Sequence, residues 1–525
     1  LAARHAEFAS DNTIAADLLA ITLSRYPESD GLQDARLSLL SAEGRLDEAN
    51  ILADNILSST PDNREALKVR FYSLAKAEDW KAAGELLADY KVDNFDQVLI
   101  PMLSSWVAAA DGKPEKAVEL VEPLKQFQGL EILVKLQAAL VHDVAGNTED
   151  AQIAYEEALK LVGTPTLRLA DLLGNFYERQ GEIAKATSIY DNLLEGDKYE
   201  SLALKGQIRI LENKTPNMRV SNARQGLAEM LYHLGGILFS ERGDRLSTTL
   251  GNAALYLAPT NSFYRLQVGR MTEDQKRYDK ALGLYQTIPK SADVFVRSRL
   301  LAIDAMFEQE RWDEAEVLLN ELMEMDGQKF ATLTKLGDMH RYKKEFEAAA
   351  KIYAEAIETV DDPQRLNWFH YYYAGIANEQ SKNWSEAERL FKVALELEPD
   401  QPLVLNYLAY SWVEKGQHLD QSLEMLKTAV SKRPEDGYVI DSLGWVFYRL
   451  KRFEEAVPEL ERAVALRPGD AVINDHLGDA YFRVGRKREA EFQWRRALSF
   501  KPDDKVKDAI NKKLETGVVV DEVLP

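Results

Sequence analysis

The 525-residue chain contains no cysteine. That excludes a disulfide framework, a thiol nucleophile and a thiolate-held metal. Histidine is scarce: His5, His142, His233, His340, His370, His418 and His476 are scattered, no pair has metal-ligand spacing, and HExxH is absent. GxGxxG, GxxxxGK[ST] and GxSxG are also missing, so no phosphate cradle or nucleophile turn can be read. No catalytic residue, metal or cofactor is expected, and the chain is read as a non-enzyme. No apolar run approaches the ~18 residues of a membrane span. No signal peptide is legible, although Leu1–Phe8 reads as a helix interior without a capping residue, which implies further residues upstream. Positive charge is in deficit, with 65 Lys and Arg against 86 Asp and Glu, a net of -21. Such a chain is poorly suited to nucleic acid or an anionic membrane surface; its acidity fits a polar or basic partner, or plain solubility.

What is present is a repeat. Between Val404 and Asp504 three stretches superpose. Leu408, Leu443 and Leu477 align, each followed by Ala409, Gly444 or Gly478. Ser422, Ala456 and Ala490 align, as do Ala429, Ala463 and Ala497, and Pro434, Pro468 and Pro502 recur every 34 residues. This period and residue order are the signature of the tetratricopeptide repeat, two antiparallel helices per unit. Gly inside a helix costs about 1 kcal/mol, so its missing Cβ must admit a close helix contact. The small residue early in the second helix marks the phase. It falls at Ala16, Ala49, Ala83, Ala117, Ala151, Ala186, Ser247, Ala281, Ala315, Ala349, Ala387, Ser422, Ala456 and Ala490. Three residues before most markers stands a bulky residue, among them Leu46, Trp80, Ile183, Tyr278, Trp312, Phe346, Trp384 and Phe453, expected to plug the wedge between helices as core.

The expected fold is therefore all-α: a tetratricopeptide-repeat solenoid, a right-handed superhelix of about 13–14 helix pairs. Residues 1–198 form an N-terminal array of degenerate repeats whose first is truncated. Residues 199–246 form an irregular helical segment, because the 61-residue interval from Ala186 to Ser247 exceeds one repeat. Residues 247–504 form the C-terminal array, and 505–525 a capping helix with an extended tail. A second irregularity holds Asp361-Asp362-Pro363 and the run Trp368–Tyr373, whose aromatics cannot all face one core.

Stacked first helices line a groove, and helical period places three rows in it. Asn406, Asp441 and Asp475 form the first, Tyr410, Trp445 and Asp479 the second, and Glu414, Arg449 and Arg483 the third. Two aspartates in the first row would repel a carboxylate, so capture of a peptide C-terminus is rejected for these repeats. The candidate protein-binding residues are Asn406, Tyr410, Asp441, Trp445, Tyr448, Arg449, Asp475, Asp479 and Arg483. Trp445 is the expected anchor, an aromatic beside Gly444 flanked by charges, as interface hot spots are composed.

The segments Asn406–Tyr410, Asp441–Trp445 and Asn474–Asp479, continuing through Arg486–Trp494, resemble the large tetratricopeptide-repeat lipoproteins of Gram-negative bacteria that partner periplasmic carboxyl-terminal processing proteases. The resemblance implies a periplasmic adaptor that binds the protease and presents envelope substrates, notably peptidoglycan hydrolases. The chain departs from that family in lacking a lipobox cysteine, so contact with a membrane would come only through a lipid anchor upstream. The competing expectation is a generic scaffold for secretion or envelope assembly without a protease, with a cytoplasmic location as the alternative.

Overall fold

The computed structural model describes residues 2–8, 11–27, 29–88, 90–92, 94–196, 200–242, 245–325, 327–360 and 366–517. Asp361-Asp362-Pro363 and most of the expected extended tail lie outside these. Among the described residues every regular element is helical. The chain divides into two units, Leu1–Gln328 and Lys329–Pro525.

In the N-terminal unit, six antiparallel pairs come first: Ala2–Phe8 with Asn12–Leu23 (α1, α2), Asp30–Glu43 with Leu46–Ser59 (α3, α4), Arg64–Lys76 with Trp80–Ala88 (α5, α6), Asp96–Ala110 with Pro114–Val121 (α7, α8), Glu131–Ala145 with Thr148–Val162 (α9, α10), and Leu167–Gln180 with Ile183–Gly196 (α11, α12). Ser201–Leu211 (α13) follows without a second helix of its own among the described residues. Three more pairs complete the unit: Ala223–Arg242 with Arg245–Leu257 (α14, α15), Ser262–Asp274 with Tyr278–Gln286 (α16, α17), and Phe295–Phe307 with Trp312–Met323 (α18, α19). The C-terminal unit has five pairs: Lys329–Tyr342 with Phe346–Glu358 (α20, α21), Trp368–Gln380 with Trp384–Leu397 (α22, α23), Pro402–Glu414 with Leu419–Lys432 (α24, α25), Gly437–Arg449 with Phe453–Leu466 (α26, α27), and Ala471–Arg483 with Lys487–Ser499 (α28, α29). Asp504–Thr516 (α30) closes it.

The phase marker is the packing determinant. All twelve alanines of the series are 0% exposed, and Ser247 and Ser422 are 1% and 0%. The in-phase glycine of the first helix does more than bring two backbones together. A Cβ on Gly478 would lie 2.5 Å from the ring of Trp494, and one on Gly337 2.6 Å from that of Tyr353. The ring four residues after the marker thus fills the space that the glycine leaves open. The polar edge of that ring is satisfied by the first helix: Trp494 Nε1 donates to Asp479 at 3.0 Å and the Tyr353 hydroxyl to Asp338 at 2.6 Å.

The bulky series behaves differently from expectation. Each of its members is the first residue of a second helix. Only Leu46 is fully buried; Trp80, Tyr278, Trp312, Phe346, Trp384 and Phe453 are half-buried, and Ile183 is exposed. The helix start lies at the end of the wedge, where one face of the side chain remains in water. Two residues earlier the chain turns through a left-handed residue, Gly44, Gly146 or Gly181 in early repeats but Lys276, Lys344 or Lys451 in later ones. The next amide then closes the turn, as Arg45 N does on Leu40 O at 2.9 Å.

Candidate polypeptide-binding cleft

The two units present their first helices differently. In the N-terminal unit, α14 and α15 fold back across that face: α15 lies against α3 and α5, and α14 against α7 and α9. The close approach depends on Gly226, where a Cβ would meet the Trp106 ring at 2.1 Å. α11 is buried from Arg168 through Glu178, packed by α12 and α13 and bonded to α14 through Arg168, whereas a surface helix shows one polar face.

Buried charges secure this arrangement. Arg168 on α11 donates to Glu229 on α14 through Nε at 2.9 Å and Nη2 at 2.5 Å, and to Asp171 at 2.6 Å. The Tyr264 hydroxyl on α16 donates to Glu229 at 2.6 Å, and His233 Nε2 stands 3.0 Å from it. Glu229 is 0% exposed. Burial disfavours its ionised form, but Arg168 and His233 outweigh burial and hold the carboxyl far below its ordinary range. A second clamp joins α3 to α17. Glu43 accepts from Arg277 at 2.7 Å and from Lys280 at 2.8 Å, while Asn252 Nδ2 on α15 donates to Ala42 O at 2.7 Å. Burial raises the Glu43 carboxyl, but the two cations prevail and bring it down to about 2. Glu43→Gln should therefore cost about 2–3 kcal/mol at neutral pH in urea unfolding. The folded group titrates below its ordinary value of 4.5. Its contribution is complete above that value and is lost as pH falls through about 2, so wild type and variant should converge on acidification.

In the C-terminal unit the first-helix face is open across α22, α24 and α26, while α30 covers Asp475 and Asp479 on α28. A cleft of about 440 Å³ lies across α22, α24, α26 and the start of α28. Its lining includes Glu379, Asn406, Tyr407, Tyr410, Glu414 and Asp441. Consecutive first helices deliver these groups because the repeats stack in register. Two of them lack partners. Asn406 Oδ1 is buried without a hydrogen bond, and the half-buried Tyr410 hydroxyl makes none to the described residues.

The expected site residues differ in placement, and Asp441 both borders the cleft and is largely buried. Asn406, Tyr410 and Asp441 line the cleft. Trp445 borders it but does not project freely. Its indole Nε1 donates to Glu414 at 2.7 Å, and its ring is stacked on Tyr448 at 4.7 Å and on His476 of the next repeat at 4.0 Å. Arg449 Nη1 lies 3.7 Å from Glu414, and Arg483 Nε is 3.3 Å from the Tyr448 hydroxyl. The aspartates are buried rather than displayed, at 6%, 8% and 4% exposure for Asp441, Asp475 and Asp479. Each has a partner: His476 Nδ1 is 3.0 Å from both Asp441 oxygens, and Lys513 of α30 reaches Asp475 at 2.8 Å and Asp479 at 2.7 Å. Burial disfavours the His476 cation, but Asp441, Asp475 and Asp479 outweigh it and raise its pKa.

Sequence periodicity missed Glu379, Tyr407 and Lys513. Gln380, beside Glu379 in the cleft lining, could have been found by carrying the Glu414, Arg449 and Arg483 row one repeat upstream. Tyr372, in phase with Asn406, packs its ring 5.9 Å from Tyr407, and so part of the Trp368–Tyr373 run supports the cleft wall. No residue in the described helices forms a group of three or more His, Cys, Asp or Glu arranged for a metal, and no described helix is long and apolar enough to cross a membrane.

Comparison with known proteins agrees with the repeat. The tetratricopeptide repeat family matches residues 334–402 and 408–471. The chain is 24% identical over 190 residues to TPR repeat-containing protein PA4667 of Pseudomonas aeruginosa, covering 36% of this chain and 31% of that protein. It is 22% identical over 175 residues to lipopolysaccharide assembly protein B of Escherichia coli K12, covering 32% of this chain and 45% of that protein. The chain thus spans less than half the length of these relatives. Among solved structures, the Cut9 and Hcn1 hetero-tetramer of the APC/C is similar over 98% of this chain and 95% of its own, at 15% identity and a TM-score of 0.42. MamA RS-1 covers 34% of this chain at 17% identity and a TM-score of 0.30.

Proposed function

We propose that this protein is a non-catalytic adaptor that holds a polypeptide against the first helices of its C-terminal unit. The observation that carries this is the cleft itself, open and walled by tyrosines, with Asn406 and Tyr410 left unpartnered. A polypeptide brings backbone donors and acceptors that satisfy such groups, and Tyr contributes contact area at small entropic cost. The N-terminal unit, its corresponding face covered by α14 and α15, acts as a rigid body in this scheme.

The resemblance of the last repeats supports a more specific assignment. The partner is a periplasmic carboxyl-terminal processing protease, to which the adaptor presents envelope substrates such as peptidoglycan hydrolases. The likeness to lipopolysaccharide assembly protein B favours a second reading, a scaffold for envelope assembly with no protease. Both place the protein in the bacterial envelope, and the first in the periplasm.

The test is capture from a bacterial envelope extract by wild type and by the double variant Asn406→Ala, Tyr410→Ala. Neither side chain anchors a neighbouring helix through a hydrogen bond, so the variant should melt within a few degrees of wild type. Its partner capture should fall at least tenfold, corresponding to about 1.4 kcal/mol or more. A folded variant that captures the same proteins at wild-type affinity would remove the cleft from consideration.

A further inference from the structure

We infer that the C-terminal cleft receives a cationic side chain, lysine or arginine, of its polypeptide ligand. This rests on the adaptor reading above and adds the chemistry of the ligand to it. Four carboxylates line the cleft, Glu379, Glu414, Asp441 and Asp470, with one lysine among them, Lys415. Their bonding states differ. Asp470 is engaged as the cap of α28, accepting from Val472 N and Ile473 N. Asp441 is engaged by His476 and Glu414 by Trp445. Glu379 is not matched in charge. It accepts from two neutral donors, Gln380 Nε2 at 2.7 Å and the Tyr407 hydroxyl at 3.4 Å, and has no ion-pair partner among the described residues. Lys415 does not neutralise it, because its ammonium sits over the ring of Trp384 at 4.8 Å.

The remaining features point the same way. Tyr407 and Tyr410 line the cleft beside Glu379, and aromatic faces attract a cation through their quadrupole. The unpartnered Asn406 amide lies on the same helix, one residue from Tyr407, where it can meet the ligand backbone. A carboxylate without a counter-charge in an aromatic cleft is costly to shield from water until a cation arrives. An anionic or purely apolar side chain would increase that cost. Charge complementarity therefore selects lysine or arginine.

The experiment uses the full chain, N-acetyl-argininamide as probe and N-acetyl-citrullinamide as its neutral isostere. The reporter is the indole N–H resonance of Trp445, which bonds to the cleft carboxylate Glu414. Argininamide should shift this resonance saturably and citrullinamide should bind at least fivefold more weakly. Glu379→Gln should weaken argininamide at least fivefold and leave citrullinamide unchanged. Glu347→Gln, whose side chain is 82% exposed on α21, controls for the general acidity of the chain and should have no effect. Equal saturable shifts from both probes would overturn the cationic preference while leaving a polypeptide cleft in place. Equal effects of the Glu379 and Glu347 substitutions would reduce the interaction to diffuse charge and overturn it too. Absence of any argininamide shift would also overturn it, with the adaptor reading still decided by capture with the Asn406 and Tyr410 variant.

Discussion

Glu229→Ala should destabilise the N-terminal unit by about 3–5 kcal/mol, because it leaves the Arg168 guanidinium buried without its main counter-charge. Arg168 retains Asp171, but that carboxylate is shared with Arg219 at 2.8 Å. The Tyr264 hydroxyl loses its acceptor in the same step. The change is read by urea unfolding followed by circular dichroism, with hydrogen exchange on α7, α9 and α14 as a local measure. Exchange should accelerate in all three, since α14 is held across α7 and α9. The second variant, Arg168→Met in the same background, should regain part of the loss, because an apolar replacement removes the uncompensated charge. A loss below about 1 kcal/mol would show that the ion pairs do not hold α14 in place.

Lys513→Ala should cost about 2–3 kcal/mol in the C-terminal unit, somewhat less than a fully buried pair because the lysine is partly solvated. It leaves Asp475 and Asp479 facing each other beneath α30. The pH dependence gives the sign. Burial raises the Asp479 carboxyl to about 6, with Asp475 adding to the rise and Lys513 opposing it. A folded pKa above the ordinary value of 3.8 means that ionisation on raising pH through about 6 weakens the folded state. Without the lysine that loss grows, so the deficit of Lys513→Ala should be larger at pH 8 than at pH 5. An unchanged deficit across that range would place the defect in helix packing and not in the paired aspartates.

The repeat was legible because its requirements are local and recur in phase. A marker such as Ala456 must be small wherever the two helices cross, and Gly478 must lack a Cβ wherever a ring such as that of Trp494 enters. Sequence spacing alone reveals such positions. The same logic found Asn406, Tyr410 and Asp441 on one face, and these do line one cleft. It did not reveal that Trp445 would be stacked on His476, since the ring of the next repeat carries no periodic signal. Nor did it reveal Lys513, which comes from a helix beyond the last repeat, 38 residues after Asp475. The largest omission was the course of α14. The helical pattern from Asn222 to Phe239 was visible, but its return onto α7 depends on Gly226 meeting Trp106 and on Glu229 meeting Arg168, contacts set by tertiary distance and not by period.

The proposed adaptor should touch its partner at the C-terminal cleft. Benzoylphenylalanine placed at Tyr410, within the C-terminal cleft, and separately at Ile51, exposed on the outer helix α4 of the N-terminal unit, allows that contact to be recorded in living bacteria by photo-cross-linking. Adducts from position 410 should map to one short segment of a partner, enriched in lysine or arginine, with none from position 51. Adducts from position 51 with none from position 410, in cells where the partner is still captured, would contradict this placement.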